Sequence, residues 1–318
     1  MNTLQLRVTS VTYEAEGINS YELRAIDDAG LPSFAAGAHI DVWLPGDLVR
    51  SYSLINPQDE CDRYVIAVSK DANSRGASRF MHESLRVGTV LTAAPPRNNF
   101  PMNERCESAV FVAGGIGITP ILAMLRRCGK LNIRWTLYYC ARTKEHAAFI
   151  PEIHSLATQG GNSVHLNFDQ EPGGKILDIG GVLADISSDT HIYCCGPLPM
   201  LRAFEGATRG RRAETVHVEY FSARQPVAAV GGFTVELSRA KKNFFVPAGK
   251  TILDVLLEAG IDAPYSCREG VCSTCETRVL EGEPDHRDVV LSPVEHASNR
   301  SMMICCSGSK TKKLVLDL

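Results

Sequence analysis

Cys267, Cys272 and Cys275 follow one another with four and two residues between them, and Cys305 lies 30 residues beyond the last. This is the ligand spacing of a plant-type [2Fe–2S] centre. Two irons need four thiolates, and three of them can come from one loop wrapped around the cluster. Within SCREGVCSTC the small residues Gly270, Ser273 and Thr274 let the backbone approach the inorganic sulfides and donate N–H groups to them. The competing use of such cysteines is structural zinc, which takes two paired C-x2–4-C or Cys/His units. Here the second half offers only the adjacent Cys305 and Cys306. Adjacent strand residues point to opposite faces, so only one of them can face the cluster. Cys305 is the favoured fourth ligand and Cys306 the alternative.

The chain is long enough for more than this loop. Its 318 residues suggest two or three domains, each with its own core. Seven further cysteines are scattered (Cys61, Cys106, Cys128, Cys140, Cys194, Cys195, Cys306), and the total of 11 is odd. That argues against a disulfide framework and for small buried apolar residues in a reducing compartment, Cys195 excepted. A net charge of −3 gives no basic field for nucleic acid or anionic lipid. Apolar runs such as Ala109–Ala113 fall far short of the roughly 18–20 residues that span a bilayer, and the N-terminal segment has no apolar signal core. A cytoplasmic chain is expected.

Three textures follow one another. Residues 1–103 alternate apolar and polar in Leu4–Val8 and His39–Leu44 and add a short β-type run at Tyr64–Val68, with turn residues between, which points to a closed antiparallel β-barrel and one short helix after Gly76. Residues 104–223 alternate strand and helix: AVFVA (109–113), a helix from Thr119, IRWTLYYC (133–140), a helix near Ala147–Ala157, and strands near Val164–Phe168 and His191–Cys195. That is a nucleotide-binding α/β sheet. Pro, small residues and a Gly pair mark 222–232 as a linker. Residues 233–318 form a final domain with strands near Phe233–Leu237 and Phe244–Val246, a helix near Ile252–Ala259 and the cysteine loop.

Two turns in the middle region carry nucleotide chemistry. AVFVAGGIGITPILAML is a buried strand, a turn with Gly114, Gly115 and Gly117, and a helix expected to start with Thr119 as N-cap and Pro120 as its first residue. Such a helix start attracts a pyrophosphate. CGPLPM (195–200), with Cys195, Gly196 and Pro197, again links a strand to a helix. Arg142 follows the strand 133–140 and could reach an adenosine ribose or phosphate; a solvated surface arginine is the alternative. A 2′-phosphate pocket needs clustered cations, and ARTKEHAAF offers only Arg142 and Lys144, which favours NADH over NADPH. In the first region RSYSL (50–54) is a strand with Arg50 and Tyr52 on one face and Ser51 and Ser53 on the other. SRGAS (74–78) presents the Gly76, Ala77 and Ser78 amides and a hydroxyl to a phosphate at a helix start. A single terminal phosphate suits FMN, and no segment obvious for stacking an adenine speaks for FAD.

CREGVCSTCETRVLEGEPDHRD closely resembles the C-terminal ferredoxin of the phthalate dioxygenase reductase and vanillate O-demethylase reductase family, and residues 233–318 look like a plant-type ferredoxin of the β-grasp fold. With RSYSL, GGIGITP and CGPLPM in the family's order, the resemblance covers essentially the whole chain. It implies an antiparallel flavin-binding β-barrel, a ferredoxin-reductase-type nucleotide-binding α/β domain and a C-terminal ferredoxin. It implies that Arg50 meets the flavin phosphate, Tyr52 borders the flavin and Ser53 reaches ring nitrogen N5. Thr119 and Cys195 would sit near the transferring hydride, and Phe221 of VEYF would lie against the flavin ring. The family has Arg-Gly-Gly-Ser where this chain has Arg-Gly-Ala-Ser, so Ala77 departs from the pattern. PPRNNF (95–100) also resembles the family and would shape the cleft between the first two domains.

The chemistry orders these parts. A nicotinamide gives two electrons as hydride, a [2Fe–2S] cluster takes one at a time, and a flavin can do both. The implied route is NADH to FMN to [2Fe–2S] to an external acceptor, which in this family is usually a Rieske-type terminal oxygenase. A plant-type cluster near about −400 mV lies below the Rieske range, so the flow is downhill. Between Asp254 and Glu295 there are ten acidic and three basic residues, a face that a cationic partner surface could find. Phthalate, vanillate, a phenoxy acid and a non-aromatic amine all stay open as the oxygenase's substrate, and a monomer is expected. The competing function is a self-contained reductase of small molecules such as ferric chelates or free flavin.

Overall fold

Alternating apolar residues give the N-terminal region six strands: β1 (Leu4–Ala15), β2 (Ile18–Ala25), β3 (His39–Leu44), β4 (Leu48–Ser53), β5 (Tyr64–Ser69) and β6 (Val90–Ala93). The computed structural model describes all residues except 1–2, 28–29, 47, 72–75, 222–227 and 229. Ser74 and Arg75 of SRGAS and most of the expected linker lie outside the described residues. The strands pair antiparallel in the order β4-β3-β6-β1-β2-β5. Just past β4, Leu54 bridges Ile66 of β5 and the Ile55 amide donates to the Val65 carbonyl at 2.8 Å, so the outer strands meet and the barrel closes. Inward residues Leu6, Val8, Tyr21, Leu23, Ile40 and Val42 fill it. Helix α1 (Ala77–Glu83) follows β5.

The α/β part runs β7 (Ser108–Gly114), α2 (Ile118–Leu131), β8 (Arg134–Ala141), α3 (Ile150–Thr158), β9 (Ser163–Phe168), α4 (Ile179–Ala184), β10 (His191–Cys195), α5 (Leu198–Ala207) and β11 (Val216–Glu219). Its sheet is parallel, in the order β11-β10-β7-β8-β9. Two helix starts differ from expectation. Helix α2 begins at Ile118 after a 3₁₀ turn over Gly115–Gly117, so Thr119 is not its N-cap. The Thr119 hydroxyl instead donates to the Ile116 carbonyl at 2.9 Å, and Pro120 becomes the third helical residue, where its missing N–H still costs nothing. Helix α3 starts at Ile150 rather than Ala147, because Phe149 sits at φ 65, a left-handed conformation the helix cannot include.

The C-terminal part runs β12 (Phe233–Leu237), β13 (Lys242–Val246), α6 (Ile252–Glu258), β14 (Glu276–Glu281), β15 (Pro284–Asp285), α7 (Pro293–Ser298), β16 (Ser301–Met303), β17 (Gly308–Ser309) and β18 (Lys313–Leu316). The five-stranded sheet has the order β13-β12-β18-β14-β16, with β12 and β18 parallel and the other pairs antiparallel. Helix α6, closed by a Thr251–Asp254 capping box, lays Ile252, Leu253 and Leu256 into that core. This is the β-grasp pattern, and the barrel, α/β and β-grasp parts are those expected.

The chain divides into two compact units, Met1–Glu219 and Tyr220–Leu318. The barrel and the parallel sheet belong together because they share one hydrophobic core: Ile18, Ala67 and Phe100 pack with Ile118, Met124 and Tyr193. Phe100 meets Tyr193 edge-on at 5.8 Å. Polar ties cross the same seam, among them Arg126 to the Ile55 carbonyl and Lys130 to Asp59. All eleven cysteines are free of disulfides; Cys128 and Cys194 are buried as expected, whereas Cys61 is exposed.

Candidate functional site

In the parallel sheet the chain leaves β7 toward β8 on one side and later places β10 on the other, so the strand order reverses between β7 and β10. In open α/β sheets the crevice at the carboxyl ends of such strands is the ligand site. The two turns there are Gly114–Gly117 and Cys195–Pro197. They interlock. A methyl group on Gly117 would run into the Cys195 carbonyl and the Gly196 amide, and one on Gly114 would lie 2.6 Å from Pro197 Cδ. One on Gly196 would lie 3.1 Å from Gly114 Cα. Gly115 differs: it has φ 53 and open space where a Cβ would stand. Three glycines are therefore needed for chain to meet chain, and Gly115 is the one that leaves room for a ligand.

Thr119, two residues past Gly117, and Cys195, whose carbonyl Gly117 abuts, are both closed off, at 2% and 0% accessible. Burial, with the Glu219 carboxyl next in weight, pushes the Cys195 thiol far up, so it stays a neutral thiol and is no nucleophile. Arg142 is exposed, one residue past β8, at the same edge of the sheet. Glu219, a residue the sequence reading passed over in favour of Phe221, stands opposite Cys195 in the β10–β11 register. Burial pushes its carboxyl up to about 8, so it carries its proton at neutral pH. The sequence signal was a single acid, the last residue of VHVE, in a strand pair with no other carboxylate. Phe221 belongs to the second compact unit and is 38% accessible.

RSYSL occupies the end of β4. Ser51 donates to Asp41 Oδ1 at 2.6 Å, and Asp41 also holds Arg97, so the Ser51 face is tied to the barrel wall. On the other face Arg50 donates to the Val49 carbonyl at 2.8 Å. Burial pushes the Tyr52 phenol up against the opposing charge of Arg50, so it stays neutral. Gly76 has φ 115, and a Cβ there would lie 3.3 Å from Leu48 Cδ1, which sets the start of α1 against the start of β4. Ala77 is inside α1 with its methyl in the barrel core, so the departure from Gly leaves the backbone undisturbed. Ser78 Oγ accepts from the Asp71 amide at 3.1 Å. Ser53 is 6% accessible, and the next residue, Leu54, pairs with β5, the strand that the Gly115–Gly117 turn also touches. The flavin and nicotinamide motifs thus converge on β5 from two sides.

In the second unit Cys267, Cys272, Cys275 and Cys305 are gathered and buried, each at 6% accessibility or less. The Cys267 sulfur neighbours those of Cys272 and Cys305, and the Cys275 sulfur neighbours that of Cys305. The Cys306 sulfur neighbours that of Cys305 and lies 3.8 Å from the Met303 carbonyl and from the Ser307 hydroxyl, beside Gly270. The loop aims backbone amides at sulfur: Glu269 N–H donates to Cys267 Sγ at 3.3 Å and Cys267 N–H to Cys272 Sγ at 3.5 Å. Positive φ values at Arg268, Gly270 and Ser273 make that turning possible. Hydrogen bonds from Cys272 and Cys305 pull the Cys267 thiol down to about 3, and Cys305 likewise pulls Cys275 down. The donors Cys272 and Cys305 are pushed up in turn. Four gathered sulfurs, two of them accepting backbone N–H groups, fit a cationic iron centre that takes all of them as thiolates.

Fold and sites together define an electron-transfer oxidoreductase with a nicotinamide module and an iron–sulfur module. The oxidoreductase NAD-binding domain family matches residues 111–206, and the 2Fe-2S iron-sulfur cluster binding domain family matches residues 235–309. The chain is 50% identical to the tetrachlorobenzoquinone reductase of Sphingobium chlorophenolicum over 100% of this chain and 99% of that one. It is 46% identical to the phenoxybenzoate dioxygenase subunit beta of Ectopseudomonas oleovorans, over 100% and 98%. The solved structure of phthalate dioxygenase reductase, described as a modular structure for electron transfer from pyridine nucleotides to [2Fe–2S], matches with a TM-score of 0.75 and 38% identity, covering 100% of this chain and 98% of that one. The chain belongs to the phthalate dioxygenase reductase family.

Proposed function

We propose that this chain takes hydride from NADH onto a bound FMN and passes single electrons through a [2Fe–2S] cluster to a Rieske-type terminal oxygenase. The observation that carries the reading is the convergence of RSYSL and the Gly115 turn on β5, on a chain that also gathers four thiols. The flavin supplies the conversion between two-electron and one-electron chemistry. The chain's own residues do the rest. Gly115 leaves room for the pyrophosphate, while Thr119 and Cys195, both buried, shape the nicotinamide end without exchanging protons. Arg50 and Tyr52 share the barrel face open to the flavin, with the Gly76–Ser78 segment beside it, and Ser53 closes the strand where ring nitrogen N5 is expected. Cys267, Cys272, Cys275 and Cys305 hold the cluster. NADH is favoured over NADPH because Arg142 and Lys144 are the only cations of their segment. Free cysteines and the absence, among the described residues, of a helix long and apolar enough to cross a membrane support a cytoplasmic protein, and we take it as a monomer.

The protein purified with its cofactors should show flavin bands over iron–sulfur absorbance, and both should bleach on anaerobic addition of NADH. A flavin spectrum with zinc in place of iron would remove the cluster, and no bleaching would remove the donor. A second reading has a specific support: the relative at 50% identity is named for a quinone substrate. If quinones are reduced directly at the flavin, Cys275→Ser, which cripples the cluster, leaves NADH-dependent quinone reduction intact while cytochrome c reduction falls away.

A further inference from the structure

Between β15 and the end of α7 lie three side chains with no use so far: His286, Asp288 and His296. The side chains of His286 and Asp288 are 8% and 0% accessible. Asp288 Oδ2 accepts from the Leu291 amide at 2.9 Å and the Val290 amide at 3.2 Å, and lies 3.2 Å from His296 Nε2. Its other oxygen, Oδ1, makes no hydrogen bond and lies 3.7 Å from His286 Nδ1; neither ring nitrogen of His286 makes a hydrogen bond, and the Asn299 side chain stands near that ring. The two imidazoles stack with centroids 4.4 Å apart. Polar atoms buried without partners are costly and rare in folded proteins. Here three lie together, and one ligand atom from each residue falls within 4.8 Å of the others.

We propose that His286, Asp288 and His296 bind one zinc(II) ion, separate from the iron–sulfur cluster. Two imidazoles and a carboxylate suit a borderline transition cation with water in the fourth position, whereas calcium and magnesium prefer all-oxygen shells. The Ser292–Glu295 capping box fixes the start of α7 and hence the position of His296. The backbone ties of Asp288 are already made, so Oδ1 is the atom left for the metal. The segment sits on the cluster loop: the Val289 amide donates to the Gly270 carbonyl at 3.1 Å, and a Cβ on Gly270 would lie 3.1 Å from Asp288 Cα. A bound ion would staple this strap over the cluster loop, and the proposal stands whether or not the electron route is as described.

The test uses the full chain with its cluster intact by visible absorbance, stripped with a chelator, dialysed against zinc chloride and analysed for metal. One zinc per chain beyond the iron is expected. Loss of even an outer partner weakens metal sites about 10–100-fold, so His296→Gln, at a partly exposed position, should weaken zinc binding at least about 100-fold while leaving the visible spectrum unchanged. Zinc should also raise the midpoint for thermal bleaching of the cluster by about 4–8 °C in the native chain and not in the variant. No zinc uptake by the native chain, or equal uptake and equal shift in His296→Gln, overturns the site; the latter would assign the ion to other ligands such as the exposed Cys61.

Discussion

At the scale of single atoms, the glycines of the crevice ask different things of a methyl group. On Gly117 it would meet the backbone of Cys195 and Gly196, neither of which can yield. Gly117→Ala should therefore lower the stability of the first unit by about 1–3 kcal/mol, read as a fall in thermal midpoint. On Gly115 it meets nothing, and the only cost is a left-handed backbone, about 1–2 kcal/mol. Gly115→Ala should fold with full flavin content and show its defect as a raised KM for NADH, because the methyl fills the space left for the ligand. The same contrast separates the adjacent cysteines. Cys305 neighbours the sulfurs of Cys267 and Cys275, whereas Cys306 neighbours that of Cys305 and bonds the Met303 carbonyl, so Cys305→Ser should lose the cluster's visible bands and Cys306→Ser should keep them; the reverse would move the fourth ligand.

Elements were legible where a local pattern settles them. The apolar strands 109–113 and 191–195 lie within a single period of burial, and the cysteine spacing states its own chemistry. What escaped were features made by contacts distant in sequence or by unusual backbone. Thr119 looks like an N-cap, but the 3₁₀ turn before it gives its hydroxyl the Ile116 carbonyl instead. Nothing in FIPEIH announces that Phe149 is left-handed. The two imidazoles of the His286 group stack only because α7 brings His296 back against the segment that follows β15. Glu219 is of this kind too, its environment set by the pairing of β11 with β10. Its carboxyl is raised to about 8 by burial, so between about pH 4.5 and 8 the unfolded chain is ionised there and the folded chain is not. The folded state binds the extra proton, and stability must fall as pH rises through that window. Glu219→Gln should remove that fall, seen as a flatter dependence of thermal midpoint on pH.

For the molecule as a whole, the acidic run from Asp254 to Glu295 promises less than its count. Asp254 and Glu295 cap helices, Glu258 pairs with Lys250, Glu283 with Lys310 and Asp285 with Arg287, and Asp288 is buried. Those six are occupied locally and Glu269 is engaged as well, which leaves Asp262, Glu276 and Glu281 of the ten to project a field. Long-range steering needs several uncompensated charges. Electron delivery to the oxygenase should accordingly slow by less than about tenfold between low and physiological salt, measured by stopped flow across an ionic-strength series.

The core shared by the barrel and the parallel sheet bears on how such chains can be recombined. A chimaera of two relatives joined near residue 103 would inherit the two faces of one core from different parents, setting one parent's Phe100 against the other's Tyr193 and one parent's Ala67 against the other's Ile118. A junction just after Glu219 would inherit all three cores whole. Shuffled libraries of this family should therefore concentrate their functional crossovers there, so that an electron-delivering module can pass from one reductase to another while the hydride-handling half descends intact.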